Sequence, residues 1–425
     1  MTPLLLQLLL ALALTQTAKA DSYIYGKSER SSFIQEGKVW EQPQYEIGSQ
    51  SLSGITTQCQ KFSPDEVVTC SYLKPKRGKI SSGWTPKFYC LSENGEKLKV
   101  KYGQNNGEVF SEVFSSRLVQ LIGFKADCNY PVRKVICTDC PENPFEYSKQ
   151  YSQFNESPDE AFSLREYPYV LIEKKFGEEI IAEIDDQEVE GWGFDEFLTP
   201  ALVHQDSEQN LAREALTLLM SVLEHGDNKR SNQRLYCKSD LDRNGKCPTT
   251  EKYLVVQDLG ATLGTYKFKD EKGKLINLPP KTSFNFYQSA PIWNLWTDAR
   301  WSRCTAQVLA VDGETEAATL KQQQISEAGR KFLENLLSQV SYKQIQELVA
   351  VSKLADRTAD KKIDSKLTGL ISNQLNLYYL PTIPFKNNQV SSKEWADVIW
   401  MKMKIVEQSK CCLLYTSDAA DEEDS

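Results

Sequence analysis

An apolar stripe at helical spacing, Leu211, Ala215, Leu218 and Val222, runs straight into the polar octet His225-Gly226-Asp227-Asn228-Lys229-Arg230-Ser231-Asn232. A second apolar run, residues 253–256, leads to Asp258-Leu259-Gly260. These two transitions constrain the fold more than any other feature of the chain. Steps of three and four residues predict an amphipathic helix, which Asp206-Ser207-Glu208-Gln209 caps. Such a helix rigidly supports the loop that follows it. The octet places a carboxylate, an ammonium and a carboxamide in one short loop, and the strand-like run delivers a second carboxylate beside a glycine.

The spacing H-x-D-x-K-x-x-N followed by D-L-G resembles the catalytic loop and metal-binding turn of protein kinases. The resemblance implies that Asp227 accepts the proton of an attacking hydroxyl and that Lys229 reaches the transferring phosphate, in a loop opened by His225. It also implies that Asn232 and Asp258 hold Mg2+ or Mn2+ for ATP. Phosphoryl transfer asks little covalent chemistry of a protein, so catalysis amounts to holding these charges around a triphosphate.

Such a site needs a strand lysine and a helix glutamate upstream. Residues 98–102 alternate apolar and basic side chains at strand period, 103–107 form a polar turn, and 108–124 read as a helix ended by Gly123. Glu108 and Glu112 share one face of that helix. The run from Glu112 to Leu121-Ile122-Gly123-Phe124 resembles the corresponding helix of the secretory-pathway (Golgi casein) kinases, and this register selects Glu112. Lys101 is its partner, and Lys99, on the same strand face, is the alternative.

Taken singly, each residue has an ordinary reading. His225 and Asp227 can end a helix in a capped turn, Lys101 can be a solvated strand lysine and Glu112 an exposed helix residue. Their ordered combination argues against coincidence. The likeness is to the atypical, secreted branch of the kinase-like superfamily and its bacterial relatives, and spans residues 78–258 in fragments. Gly226 stands where an arginine is usual, there is no G-x-G-x-x-G, and no A-P-E follows Asp258. Control by activation-loop phosphorylation is therefore not expected.

The resemblance implies an α+β, two-lobed kinase-like fold. A small β-rich N-lobe with one key helix covers residues 76–175, and a larger, mainly helical C-lobe covers 176–411. Residues 21–75 are expected as an extension packed on the small lobe, and 141–158 as a polar connector. Residues 169–174 and 178–185 read as strands, and 326–339 and 341–354 as helices, the second opened by the capping box Ser341-x-x-Gln344. Gly83-Trp84-Thr85-Pro86-Lys87-Phe88 is a candidate phosphate-covering hairpin. Trp293, Trp296 and Trp301 read as core. The acceptor of the phosphoryl group is a protein, glycan or small-molecule hydroxyl. An inactive secreted binding protein on the same frame, or a transferase of AMP, would fit the same residues.

Residues 4–14 are apolar but too short to span a membrane, and Ala18-Lys19-Ala20 resembles a cleavage site, so residues 1–20 read as a secretory signal. Residues 412–422 look like a translated sequencing adapter, which would end the encoded protein near Cys411. The formal charge of −8 becomes less negative without Lys19 and the tail acids. A mildly acidic chain without a basic tract argues against nucleic acid as partner, and a monomer is expected. Without Cys412 the 11 cysteines become an even set, as a disulfide-bonded protein of a secreted or periplasmic compartment prefers. Cys137-x-x-Cys140 has no second C-x-x-C and only His204 and His225 to complete a zinc site, so a structural disulfide is the better reading.

Asp240-x-Asp242-x-Asn244-Gly245, then five residues and Glu251, fits the oxygen-ligand pattern of a calcium loop. A strand-like run follows where such a loop needs a helix. A polar hairpin closed by Cys237 and Cys247 explains the same residues, and both readings stand at this point.

Overall fold

The chain enters the fold by pairing with a strand far downstream. The structure is a computed structural model that describes residues 24–52, 59, 61–76, 83, 85–154, 161–174, 178–197, 208–242, 244–264, 267–269, 275–277, 303–306, 319–320, 323–357, 390–408 and 411. Ile24–Tyr25 (β1) lies parallel to residues 181–182, and Gly26 opens the helix Lys27–Glu36 (α1). Arg30 of this helix grips Glu196 at 2.6 and 2.9 Å, and Arg213 donates to the carbonyls of Ile34, Gln35 and Gly37. Residues 24–36 thus sit on the second sheet described below, whereas an extension packed on the small lobe was expected. The segment is polar overall, but its buried Phe33 and Ile34 anchor it there.

Val67–Tyr72 (β2), Lys87–Ser92 (β3), Lys97–Tyr102 (β4), Cys128–Pro131 (β5), Lys134–Cys140 (β6), Ser163–Tyr167 (β7) and Val170–Lys174 (β8) form a seven-stranded sheet in the order β5-β8-β4-β3-β2-β6-β7. β2 is thus a central strand, so the sheet begins before the expected boundary at residue 76. Strand alternation turns Leu98 and Val100 into a core with Phe88, Cys90 and Ile172, and turns Lys99 and Lys101 to the opposite face. The expected helix is Gly107–Leu121 (α2), capped by the Asn106 side chain on the Glu108 amide at 3.2 Å. Gly123 ends it at φ +93°, where a Cβ would lie 2.4 Å from the Glu41 carbonyl. Every residue of α2 is buried, because the helix is wedged between the sheet and the helices that follow.

The expected connector 141–158 instead contains the helix Pro144–Phe154 (α3). Pro144 at its start and a stripe of Tyr147, Ser148, Tyr151 and Ser152 explain it. The Tyr147 and Tyr151 rings stack at 5.8 Å, and the two serines bond back to carbonyls four residues earlier.

The second sheet contains Glu178–Ile184 (β9), Gln187–Val189 (β10), Gln233–Cys237 (β11) and Lys252–Val256 (β12), in the order β1-β9-β11-β12 with β10 beside β9. Glu208–Val222 (α4) buries its predicted stripe within the larger core. Two short antiparallel strand pairs follow, Lys267–Lys269 (β13) with Leu275–Asn277 (β14), and Arg303–Ala306 (β15) with Gln323–Ser326 (β16). The helices Glu327–Leu337 (α5), Tyr342–Val351 (α6) and Ser392–Gln408 (α7) complete seven among the described residues, and Ser341 and Gln344 form the predicted capping box of α6. The two sheets are joined by a bridge between Ala126 and Val256 and by the fully buried ion pair of Arg234 with Asp127.

The architecture is therefore mixed α+β, as expected. Disulfides link Cys59 to Cys128, Cys70 to Cys90, Cys137 to Cys140 and Cys237 to Cys247, and Cys411 is also disulfide-bonded. Among the described residues no helix is long and apolar enough to cross a membrane. Residues 1–20, read above as a secretory signal, the tail from 412 on, Asp206, Ser207, Trp84 and the three later tryptophans lie outside the described residues.

Candidate active site

Lys101 is the centre of a dense charge cluster. Its Nζ lies 2.6 Å from Glu112 Oε2 and 2.6 Å from Asp258 Oδ1, with Glu173 at 3.5 Å and Glu108 at 3.6 Å. The side chain is only 1% exposed. Burial alone would lower its pKa, but the carboxylates of Asp258, Glu112, Glu173 and Glu108 outweigh it and hold the ammonium charged. The structure brings together the strand lysine and the helix glutamate that the resemblance selects, and Asp258 joins them. Lys99 turns to Glu173 at 2.6 Å and is not the partner of Glu112.

The two carboxylates that touch Lys101 move in opposite directions. Burial pushes Glu112 up to about 8, partly offset by Lys101 and reinforced by Glu173 and Asp258. Burial also opposes the charge of Asp258, but Lys101, Lys99 and Lys87 hold its pKa well below the usual carboxylate range. The Asp258 side chain is 32% exposed against none for Glu112. Asp258 is therefore the partner that stays charged and open to solvent.

Sequence reasoning missed Glu173 and the role of Glu108. Glu173 faces Lys99 through the β4–β8 register. Glu108 accepts from Thr85 Oγ1 at 2.5 Å, and its side chain lies over Gly260, where a Cβ would sit 2.7 Å from the Glu108 Cβ. The glycine of the D-L-G turn is thus needed for this close approach. Asp258 itself is left-handed, at φ +52° and ψ +45°, a conformation that Asp tolerates better than most side chains. That turn aims its carboxylate at Lys101.

The octet leaves α4 through Glu224 at φ +56°. His225 is fully buried, with Nε2 3.5 Å from Gln233 Nε2, and burial lowers its pKa to about 4. It therefore supports the loop from behind as a neutral imidazole. Asn228 donates to the His225 carbonyl at 2.9 Å and accepts the amides of Thr319 and Leu320 at 2.8 Å each. Asp227 and Lys229 stay partly exposed, 3.3 Å apart. Asn232 spends its amide hydrogens on the Asp227 carbonyl at 2.8 Å, which leaves its oxygen as the free donor atom. The Gly226 amide bonds the Ala261 carbonyl and the Leu263 amide bonds the Leu223 carbonyl, each at 2.8 Å, so the octet and the Asp258 turn are laced together.

An amide oxygen at Asn232 and a solvent-facing carboxylate at Asp258 are hard oxygen donors, suited to Mg2+ or Mn2+. The calcium pattern is differently placed. Asp242 accepts the amides of Asn244 and Lys246 at 2.8 Å each, and Gly245 turns the chain at φ +71°. Its carboxylate is thus occupied as a turn cap. Among the described residues no three His, Cys, Asp or Glu side chains gather as a metal cage, and the structure does not bring Asp240, Asp242 and Glu251 together as one.

No family model matches this chain, and no curated protein does. The solved structures similar to it include the crystal structure of a Helicobacter pylori proinflammatory kinase, CtkA, at 12% identity over 82% of this chain and 97% of that chain. The TM-score is 0.29, and at that value the likeness carries no argument.

Proposed function

We propose that this chain is a kinase-like phosphotransferase that moves the γ-phosphate of ATP to a hydroxyl of a protein, glycan or small molecule. The reading rests above all on Lys101 held at 2.6 Å by both Glu112 and Asp258, three residues from separate elements that the resemblance had already singled out. In this reading the seven-stranded sheet with α2 is the small lobe, and the second sheet with its helices belongs to the larger one. Lys101, oriented by Glu112, aligns the α and β phosphates. Asn232 and Asp258 would hold the divalent cation, which supplies neutralising charge at the phosphate oxygens when bound. Asp227 takes the proton from the acceptor hydroxyl, and Lys229 steadies the γ-phosphate. The disulfides favour an oxidising compartment, secreted or periplasmic.

The test is incubation of the purified, oxidised protein with γ-labelled and α-labelled ATP plus Mg2+ or Mn2+, with Asp258→Ala as control. Transfer of label from the γ position alone, lost in the control, supports a kinase. Label from the α position indicates AMP transfer instead, and no metal-dependent consumption of ATP leaves a binding protein.

A further inference from the structure

We propose that Lys87 is a phosphate-binding residue of this site, a third lysine that recognises the polyphosphate of the nucleotide; the inference rests on the nucleotide-binding reading above. Lys87 opens β3 and stands directly across from Lys101 in the β3–β4 register. Strand alternation therefore puts Lys87, Lys99 and Lys101 on one face of the sheet.

The three ammonium groups are not equally satisfied. Lys101 has Glu112 and Asp258, and Lys99 has Glu173. Lys87 has no hydrogen bond or ion pair with any described residue, although its side chain is only partly exposed. Burial lowers its pKa, and among its neighbours Lys99 lowers it further, then Asp258 raises it, Lys101 lowers it and Glu108 raises it. Its charge therefore sits among the residues of the site. Gly83 turns over it at φ +92°, and a Cβ there would fall 2.7 Å from the Lys87 Nζ.

A partly buried ammonium beside two others is unfavourable unless an anion faces it. Lys101 and Lys99 meet theirs within the protein, whereas Lys87 meets none among the described residues and lies in the field of Asp258, one of the two proposed metal donors. A polyanion lying between the sheet face and Asp258 would meet that charge. Lysine suits this role as a mobile point charge for phosphate. Lys87 would then discriminate by charge, favouring the triphosphate over the bare nucleoside.

Calorimetric binding of ATP with Mg2+, and of adenosine, to the parent, Lys87→Gln and Lys87→Arg proteins tests this. Lys87→Gln is expected to weaken ATP about ten- to a hundredfold, with adenosine affinity unchanged and the melting temperature equal or higher, while Lys87→Arg keeps most of the ATP affinity. Lys87→Met serves where Lys87→Gln does not fold. ATP binding as tight in Lys87→Gln as in the parent overturns the proposal, and so does an equal loss for adenosine. If the parent binds neither ligand, the nucleotide reading itself fails and takes this inference with it.

Discussion

The backbone amide of Gly226 donates to the carbonyl of Ala261 at 2.8 Å. With the Leu263 amide on the Leu223 carbonyl, this bond ties the loop of Asp227 and Lys229 to the turn of Asp258, so the proposed base and metal donor are held together although 31 positions separate them in sequence. Glycine at 226, where kinase-like loops usually carry arginine, does not interrupt that connection, since the backbone alone makes it.

Asp227→Asn removes the proposed proton acceptor and leaves Asn232, Asp258 and Lys101 in place. Transfer should fall by roughly a hundredfold or more while ATP affinity stays near that of the parent. Parallel measurement of turnover and binding checks this. Undiminished turnover would take Asp227 out of the reaction.

The buried His225 makes folding sensitive to acid. Its pKa is about 4 in the fold against 6.5 as a free side chain, so the unfolded chain binds the proton first. The stability that comes from keeping it neutral is complete above pH 6.5, is lost as pH falls toward 4, and levels off below that. At about 1.4 kcal/mol per unit this amounts to roughly 3 kcal/mol. Between pH 7 and pH 4 the parent should lose that much more stability than His225→Gln in denaturant melts. Equal losses would mean that the imidazole does not titrate as described.

The hairpin of residues 237–251 is closed by the Cys237–Cys247 disulfide. Peptide mapping without reduction should recover Cys237 linked to Cys247, and replacing both with serine should cost on the order of 2–3 kcal/mol. Millimolar calcium should leave the melting temperature of the parent unchanged, because Asp242 already caps the turn. A calcium-dependent rise that Asp240→Ala plus Asp242→Ala abolishes would restore the cation reading of this loop.

What the sequence made legible was local. Lys101, Glu112, Asp227, Asn232 and Asp258 were picked out by short motifs and the resemblance those motifs carry, and α2 and α4 announce themselves by period and cap. Glu173 was hidden, and Lys87 was legible only as part of a candidate phosphate-covering hairpin, because their pairings, Lys99 against Glu173 and Lys87 against Lys101, come from strand register, which no local pattern encodes. The placement of residues 24–36 was misjudged for a related reason. A polar segment with two apolar anchors does not say which sheet it will join. α3 was masked by its flanking prolines, and the oxygen-rich run from Asp240 to Glu251 matched a cation loop in spacing while its carboxylate was used by backbone amides.

The contact between Lys101 and Asp258 spans 157 residues of chain. Contacts of such long range close late, since the chain entropy of bringing their ends together must be met before the contact can form. The loop around Asp227 can take shape with its own helix and hairpin, and the Cys70–Cys90 disulfide closes only 20 residues. The charge cluster at Lys101 has no such shortcut. It is complete only when the two sheets have docked, so a polypeptide released from the folding machinery too early would carry every reactive residue and yet hold no assembled site.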